Sequence, residues 1–139
     1  MIEFNNRFGD PEAQSVLVRL DSDLLDIMQA VCDNRLAEQT IQWSDQRSVC
    51  VVCASEGYPG SYEKGKTIRG LDQVDEDVIV FHAGTSEKDG HIVTAGGRVL
   101  GITALGATHD DARAKAYANV KKISFDGMQY RRDIGEILR

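Results

Sequence analysis

The sequence has few cysteines, no long apolar run and no excess of positive charge. Its three cysteines are an odd number, and without an export signal this favours reduced thiols. No apolar run approaches the roughly 20 residues of a membrane span, and the first residues lack a signal-peptide pattern. The net charge of −6 argues against binding to nucleic acid or an anionic membrane, because both require a basic surface. We therefore expect a cytoplasmic protein with no nucleic-acid or membrane partner.

What the sequence does contain is typical of an ordinary globular protein. Hydrophobic residues make up 42% of the chain and charged residues 27%, which is the balance of a folded protein. At 139 residues the chain is long enough to bury a core of its own.

Two of the cysteines have the C-x-x-C spacing of some redox and zinc sites. Cys50 and Cys53 lie in the run SVCVVCAS, which is rich in valine and predicts a buried strand. Redox and zinc motifs of this spacing lie at turns or helix starts, and zinc requires four ligands. We therefore interpret both cysteines as core residues.

The N-terminal forty residues predict one strand and two helices. Residues 2–8 alternate apolar and polar side chains, as strands do, and Asp10 is placed to cap a helix that begins at Pro11. A second helix is predicted over residues 23–39. Its cap would be Asp21 or Ser22, and its apolar stripe consists of Leu24, Leu25, Ile27, Met28, Val31 and Leu36.

From Thr40 onward, short apolar runs and glycines dominate. Ten of the thirteen glycines fall between Gly57 and Gly106, which favours hairpins and tight turns. The sequence KDGH is a hairpin signal between two of the apolar runs. Together the runs predict strands over residues 48–55, 66–71, 77–85, 91–96 and 98–106.

The last predicted element is a helix over residues 110–123. Thr108 is placed to cap it, with acidic residues in its first turn and lysines in its last, as the helix dipole prefers. An irregular tail follows over residues 125–135.

These patterns predict an α+β chain in two parts, residues 1–38 and residues 39–139. A lone strand that leads into helices needs partner strands, and the first part does not obviously have them. The second part has the pattern of a self-contained antiparallel domain with one long helix. We therefore expect residues 1–38 to be the end of a larger lobe whose upstream region is missing from this chain.

The stretch EFNNRFGDPE, residues 3–12, has the clearest chemical pattern. On a strand Glu3, Asn5 and Arg7 point to one face, roughly 6–7 Å apart. Carboxylate and amide oxygens suit Mg²⁺, and a guanidinium offers a fork for phosphate oxygens. The set suits phosphoryl transfer, although an exposed polar strand face would have the same pattern.

The same stretch resembles the Glu-x-Asn-x-Arg-Phe-Gly-Asp-Pro-Glu signature of the phosphoribosylamine–glycine ligase family, ATP-grasp enzymes of purine biosynthesis. The resemblance continues in order through residues 57–71, 77–106 and 125–135, so it covers nearly the whole chain. It implies the C-terminal part of a much longer enzyme. Residues 1–38 would be the end of its ATP-grasp lobe, and residues 39–139 its C-terminal domain.

The resemblance implies an ATP-dependent ligase that joins glycine to 5-phosphoribosylamine, giving glycinamide ribonucleotide, ADP and phosphate. Glu3 and Asn5 match the family's ligands for Mg²⁺ or Mn²⁺. Arg7 matches the arginine expected to stabilise the transferred phosphoryl group, and ATP is a co-substrate. Because the nucleotide pocket and the substrate domain would lie upstream, we expect this chain alone to be inactive.

Three further basic residues are candidates for substrate binding. Lys64 lies in the glycine-rich loop GYPGSYEKGK, which would approach a phosphate or ribose, or else form a flexible surface hairpin. Arg131 and Arg132 would contact the phosphorylated substrate or the ATP-grasp lobe, or else form an ion pair with Asp133 or Asp126.

The histidines have less specific surroundings. His82, inside the apolar run VIVFHAG, is interpreted as a hydrogen-bonded core residue and not as a general base. His91 and His109 are interpreted as surface residues.

Two other classes of function compete with the ligase hypothesis. Lys88 stands at a predicted hairpin tip, as the lysine of biotinyl and lipoyl carrier modules does. Its neighbours Glu87 and Asp89 are not the small or methionine residues of such modules. The other alternative is a purely architectural, non-catalytic domain.

Overall fold

The computed structural model describes residues 6–136, which form a four-stranded antiparallel sheet, a two-stranded hairpin and three α-helices. The sheet has the spatial order β2-β5-β1-β6. Its strands are β1 (Arg47–Ser55), β2 (Val78–His82), β5 (Arg98–Gly106) and β6 (Met128–Gln129), and the hairpin pairs β3 (Thr85–Lys88) with β4 (His91–Thr94). The predicted α+β class is confirmed.

The core lies between one face of the sheet and the helix α3 (His109–Val120). Successive side chains of a strand point to opposite faces, so every second residue of β1 and β5 enters this core. Val51 and Ile102 pair across the two strands, and both are fully buried. Ala112 and Ala116 contact them from the helix side without measurable exposure, and such small residues allow a helix to lie close to its neighbour.

Helix α3 begins as the sequence predicts. Thr108 Oγ1 accepts a hydrogen bond from the Asp111 N–H, and Asp111 Oδ2 accepts one from the Thr108 N–H, both at 3.1 Å. This reciprocal capping box satisfies N–H groups that the first helical turn leaves unpaired. The helix ends at Val120 instead of residue 123, because Ile123 turns into the core, where it is 2% exposed.

The predicted Asp-Gly hairpin is also present. Asp89 (φ 51°) and Gly90 (φ 76°) both adopt left-handed backbone conformations, which a two-residue turn of this type requires. Lys88 and His91 pair directly across it.

The predictions for residues 66–71 and for the tail differ from the structure. Residues 66–71 make only isolated bridges, because Gly70 (φ 81°) turns the chain into a short 3₁₀ segment at Leu71–Gln73. The tail over residues 125–135, predicted as irregular, instead adds β6 to the edge of the sheet.

The first helix, α1 (Glu12–Val16), continues as a 3₁₀ turn through Leu17–Arg19. Its N-cap is Pro11, and the prediction of Asp10 was wrong. The Asp10 carboxylate is instead bound by Arg98 and by the side chain of Gln14. Of the strand predicted over residues 2–8, residues 2–5 lie outside the described chain and residues 6–8 form no strand within it.

The second helix, α2, spans Leu24–Cys32 and is capped by Asp23, which corrects the predicted cap at residue 21 or 22. Asp23 Oδ1 accepts a hydrogen bond from the Leu25 N–H at 2.7 Å. The helix stops well before residue 39, because Asn34 (φ 56°) takes the left-handed conformation that ends helices. No helix within residues 6–136 is long and apolar enough to cross a membrane.

Helix α1 lies on the face of the sheet opposite α3, which we call the outer face. Ser48 Oγ, at the start of β1, donates a hydrogen bond to the Ser15 carbonyl oxygen at 2.6 Å. Helix α1 does not cover the whole outer face, since Ile79 of β2 remains 41% exposed. The outer face therefore has room for further contacts.

Candidate functional site

The turn at Gly9-Asp10-Pro11 is attached to the sheet by one arginine of β5. Arg98 Nη1 donates a hydrogen bond to the Asp10 carbonyl oxygen at 2.9 Å, and Arg98 Nη2 lies 3.1 Å from Asp10 Oδ2. The second carboxylate oxygen accepts a hydrogen bond from Gln14 Nε2 at 2.8 Å. The planar guanidinium therefore binds the backbone and the side chain of Asp10 at once, which the point charge of lysine does not do.

The loop after β1 packs against the residues that precede Arg98. The Tyr58 ring contacts Gly97 so closely that a Cβ there would collide with it, so the position requires glycine. Ser55 Oγ donates a hydrogen bond to the Gly96 carbonyl oxygen at 3.0 Å, and the Ser55 N–H donates one to the Gly97 carbonyl oxygen at 2.8 Å. The Tyr58 loop and the start of β5 thus form one continuous structure.

A cavity of about 440 Å³ opens between the Tyr58 loop and the tail. Gln129 joins its two sides, because Gln129 Nε2 donates to the carbonyl oxygens of Ser55 at 3.1 Å and Tyr58 at 3.4 Å. The size is in the range of small-molecule sites, and the lining combines apolar, aromatic and cationic groups: Val52, Ala54, Tyr58, Gln129, Tyr130 and Arg131. Such a lining suits an anionic ligand that carries a ring.

Arg131, predicted to bind substrate or form an ion pair, lines this cavity and pairs with Asp133. Arg131 Nε lies 2.9 Å from Asp133 Oδ1 and Nη2 lies 2.6 Å from Oδ2. This bidentate pair raises the pKa of Arg131 and lowers the pKa of Asp133. The side chain of Arg131 is still 74% exposed, so its guanidinium is accessible from the cavity.

Helix α3 holds the backbone of the tail at Arg131 and at residues that follow it. Tyr117 Oη donates a hydrogen bond to the Arg131 carbonyl oxygen at 2.8 Å and accepts one from the Ile134 N–H at 3.0 Å. Arg113 donates to the carbonyl oxygens of Arg132 and Ile134, each at 3.0 Å. Two side chains of one helix thus fix the course of the tail.

Arg132, the neighbouring candidate, lines a different cavity of about 410 Å³. Arg113, Tyr117 and Lys121 of the α3 region line the same cavity. Tyr130 lines both cavities. The structure therefore brings the two arginines to adjacent but separate spaces.

Lys64 is exposed, and it lines neither of these cavities. The nearby Lys66 instead forms ion pairs with Glu63 at 2.7 Å and Asp126 at 3.4 Å. Hydrogen bonds to these two carboxylates raise the pKa of Lys66. The three residues line a small polar cavity of about 100 Å³. Asp126 is therefore the partner of Lys66 and not of Arg131.

Arg7 is exposed, and its Nη1 donates a hydrogen bond to the Phe8 carbonyl oxygen at 3.2 Å. It precedes the anchored Asp10 by three residues, so its Cα lies within about 10 Å of the Asp10 Cα. The candidate metal ligands Glu3 and Asn5 lie outside the described residues. Of Glu3, Asn5 and Arg7, Arg7 is thus the one that lies within the described residues.

Within residues 6–136, no three His, Cys, Asp or Glu side chains are grouped so as to hold a metal ion. Glu3 and Asn5 offer a carboxylate and an amide oxygen, the donor types that Mg²⁺ and Mn²⁺ prefer. The chemistry of this pair fits a hard divalent cation.

The interpretation of the C-x-x-C pair as core residues is confirmed. Cys50 and Cys53 are buried and form no disulfide. Burial raises the pKa of Cys53 to about 12 and also raises the pKa of Cys50, so neither is a reactive thiolate at neutral pH.

The interpretation of His82 as a core residue was wrong. His82 ends the edge strand β2 and is exposed, with its Nδ1 3.0 Å from Thr85 Oγ1. An edge strand is covered on one side only, so its last side chain reaches solvent.

Sequence reasoning missed Arg98 and Gln129. Arg98 binds a residue 88 positions away in the chain, and no local motif encodes such a partner. One usable signal was the pair Gly96-Gly97 immediately before it, because adjacent glycines at a strand end indicate a close approach of another chain segment.

This architecture agrees with that of a known class of ligase domain. Residues 48–137 match the family model described as "Phosphoribosylglycinamide synthetase, C domain". The match covers more than half of the chain, and the chain therefore belongs to this family.

The curated relatives carry the name of one particular enzyme. The chain is 53% identical over 134 residues to the phosphoribosylamine–glycine ligase of Caldanaerobacter subterraneus subsp. tengcongensis, covering 96% of the chain and 32% of the relative. It is 49% identical over 135 residues to the enzyme of that name from Pasteurella multocida, covering 97% of the chain and 32% of the relative.

A solved structure of the same name has the same fold. The crystal structure of phosphoribosylamine–glycine ligase from Thermotoga maritima is similar with a TM-score of 0.77 and 38% identity, over 96% of this chain and 33% of that one. The chain thus spans about a third of the length of the relatives it matches.

Proposed function

We propose that the chain supplies the C-domain part of a phosphoribosylamine–glycine ligase, a cytoplasmic ATP-grasp enzyme of purine biosynthesis. The observation that carries this proposal is the double contact of Arg98 with Asp10, at 2.9 and 3.1 Å. This contact attaches the signature segment to the domain that follows it. The 53% identity to a protein named for this activity, over 96% of the chain, supports the same reading.

In the proposed reaction a carboxylate oxygen of glycine attacks the γ-phosphorus of ATP. The bond from that phosphorus to the bridging oxygen breaks, and ADP leaves with the electron pair. The amine of 5-phosphoribosylamine then attacks the acyl carbon of glycyl phosphate, inorganic phosphate leaves, and the nitrogen loses a proton. The products are glycinamide ribonucleotide, ADP and phosphate.

Arg7 is the proposed catalytic residue of this chain. Its guanidinium has a single hydrogen bond within the described chain, to its neighbour Phe8, so most of its donors are available. Such a group stabilises negative charge on a phosphoryl group in transfer. Glu3 and Asn5 would hold Mg²⁺ or Mn²⁺, which when bound neutralises charge on the phosphates.

Arg131 is the proposed contact for the phosphate of the sugar substrate, and Arg132, which lines the neighbouring cavity, is the alternative contact. Arg131 combines an accessible guanidinium with a backbone fixed by Tyr117, and such preorganisation reduces the entropy lost on binding. We expect Arg131→Ala in the intact ligase to raise the KM for 5-phosphoribosylamine with little change in melting temperature. An unchanged KM would favour the purely architectural role. Lys64→Ala, tested in parallel, should have the smaller effect because Lys64 lines neither cavity.

We propose that the rest of the ligase covers the exposed face of α2. Leu25 is 70% exposed, Val31 52% and Met28 45%, and these residues lie on neighbouring turns of one helix. An apolar patch of this kind marks an interaction surface. We assign the rest of the ligase as the partner of this face because the chain matches only about a third of each relative. About two thirds of the relatives' sequence lies outside the matched part.

Release of ADP tests the proposed function. The chain is assayed with Mg²⁺, ATP, glycine and freshly generated 5-phosphoribosylamine, both alone and mixed with the remaining two thirds of the Caldanaerobacter relative. We expect no turnover alone and turnover on mixing that requires both glycine and the amine. A fusion of the two pieces controls for failure to associate, and Arg7→Ala should abolish activity in either form. An inactive fusion, or turnover by the chain alone, would contradict the proposal.

A further inference from the structure

Arg98 lies between two parts of the candidate site, the turn at Gly9-Asp10-Pro11 and the larger cavity. Within the described chain, its contacts with Asp10 are the only hydrogen bonds that join residues 6–11 to the sheet. The other hydrogen bonds of this segment are local, such as that from the Ala13 N–H to the Gly9 carbonyl oxygen at 3.1 Å. Among the described residues, Arg98 therefore provides the polar attachment of the segment that carries Arg7 to the C-terminal domain.

The other side of Arg98 leads directly to the larger cavity. Gly97, its neighbour, lies against the ring of Tyr58, and Tyr58 lines the cavity together with Arg131. Gln129 adds a second connection, since it binds the Tyr58 carbonyl oxygen at 3.4 Å. One continuous set of contacts therefore runs from the signature turn to the cavity.

We propose that Arg98 is a positioning residue for the ligase reaction. It fixes Asp10, and through Asp10 it sets where Arg7 stands relative to the substrate in the cavity. In this role Arg98 acts through its contact with Asp10 and not by binding the substrate. This inference rests on the proposed function for its catalytic part, whereas the anchoring of the segment depends only on the contacts described here.

The two chemical components of the contact are separable by substitution. Arg98→Lys keeps a positive charge but loses the planar fork, so it can bind the carboxylate or the carbonyl but not both in the same geometry. Asp10→Asn keeps the backbone carbonyl and removes the charge. Arg98→Gln removes the charge and the fork together. Arg47→Gln is the matched control, because Arg47 also begins a strand and its side chain forms no hydrogen bond to any described residue.

The first arm of the test is hydrogen exchange on the full 139-residue chain, which needs no activity. We expect Arg98→Gln to accelerate exchange at the amide of Ala13 and its neighbours by about tenfold or more, with Arg98→Lys intermediate, while amides of β1 and β5 stay as in the unchanged chain. Arg47→Gln should behave as the unchanged chain does. Equal exchange in Arg98→Gln and the unchanged chain would overturn the anchoring role.

The second arm measures the fused ligase described above. We expect Arg98→Gln to lower kcat by about 100-fold, as a displacement of about 1 Å at a reacting group does, with the KM for ATP nearly unchanged and partial recovery in Arg98→Lys. A merely structural role would reduce the fraction of folded enzyme without changing kcat per folded molecule. An unchanged kcat would overturn the inference. If the unsubstituted fusion were inactive, the proposed function would fail, and the exchange arm would still decide whether Arg98 anchors the segment.

Discussion

The N-terminal region (residues 6–43) and the C-terminal domain (residues 47–136) bury their hydrophobic residues very differently. All fourteen buried members of the core cluster belong to the C-terminal domain. In the N-terminal region the single buried hydrophobic residue is Ala30. Eight of the ten large exposed hydrophobic side chains within residues 6–136 belong to the N-terminal region: Phe8, Val16, Leu25, Met28, Val31, Leu36, Ile41 and Trp43.

This difference does not come from the amount of hydrophobic sequence in the two regions. The helix α2 carries a regular apolar stripe but contacts mainly the short 3₁₀ turn Leu36–Glu38 that follows it, whereas α3 packs on β1 and β5. A helix of nine residues has little stability without tertiary packing. The described hydrophobic core thus lies in the C-terminal domain, and this difference supports the proposal that the N-terminal region meets a further partner.

The largest effect on the free energy of unfolding is expected from a matched pair of leucine substitutions, one in each region. Leu100 is fully buried and Leu25 is 70% exposed. We expect Leu100→Ala to lower the free energy of unfolding by about 2–5 kcal/mol, because it leaves a cavity. Leu25→Ala should change it by less than about 0.5 kcal/mol. Urea unfolding followed by circular dichroism measures both. Similar losses for the two variants would mean that α2 is packed in the isolated chain.

A smaller effect is expected at the buried amide of Asn119. Asn119 Oδ1 accepts a hydrogen bond from the Asp75 N–H at 2.9 Å, and Asn119 Nδ2 donates to Asp75 Oδ2 at 2.9 Å and to the Lys115 carbonyl oxygen at 3.0 Å. Asn119→Ala leaves these groups without a partner, and we expect a loss of about 1–3 kcal/mol in the same urea experiment. Gln39→Ala, at an exposed amide of the N-terminal region, is the control. An unchanged free energy of unfolding in Asn119→Ala would show that water replaces the hydrogen bonds of the amide.

The two helix caps give the next comparison. Thr108 caps α3, and Asp23 caps α2. Removing a cap by substitution with alanine costs about 0.5–2 kcal/mol when the helix unfolds together with the rest of the protein. We therefore expect this loss for Thr108→Ala. Asp23→Ala should leave the main unfolding transition unchanged. It should reduce only the helical circular-dichroism signal at urea concentrations below that transition. Equal losses would indicate that both regions unfold as one unit.

Acid stability should also depend on the C-terminal domain. The pKa of Asp75 lies below its ordinary value of 3.8 because it accepts hydrogen bonds from Lys122 and Asn119. Folding therefore gains stability from Asp75 above its unfolded pKa, and this gain disappears as the pH falls through the lower, folded pKa. We expect Asp75→Asn to melt at a lower temperature than the unchanged chain at neutral pH, and the difference to shrink in acid. Melting curves from neutral pH into strong acid check this. A difference that stays constant with pH would contradict it.

The sequence was sufficient where the determining contacts are local. The Asp89-Gly90 turn and the Thr108 cap each depend on residues within four positions, and the valine-rich run of β1 is a strand whatever it pairs with. The predicted C-terminal end of α2 and the predicted strand over residues 66–71 were wrong, because single left-handed residues, Asn34 and Gly70, determine the backbone there. The placement of the site was out of reach for a different reason. The contact between Asp10 and Arg98 exists only once the sheet has formed.

The signature segment, residues 3–12, shows the same limit of prediction from sequence. Its residue types predict metal and phosphate chemistry, and the role of Arg7 stays a prediction. The attachment of the segment to the sheet depends on Arg98, which lies 88 positions further along the chain. The sequence therefore predicts the chemistry of the segment, whereas the contact that attaches it to the sheet could not be predicted from the sequence.

Hydrogen exchange of the chain with and without the remaining two thirds of the ligase tests the central difference between the two regions most directly. We predict that amides of α2 exchange rapidly in the chain alone and become protected in the complex, while amides of β1 and β5 are protected in both. Slow exchange of α2 in the chain alone, or exchange that the complex leaves unchanged, would contradict the account.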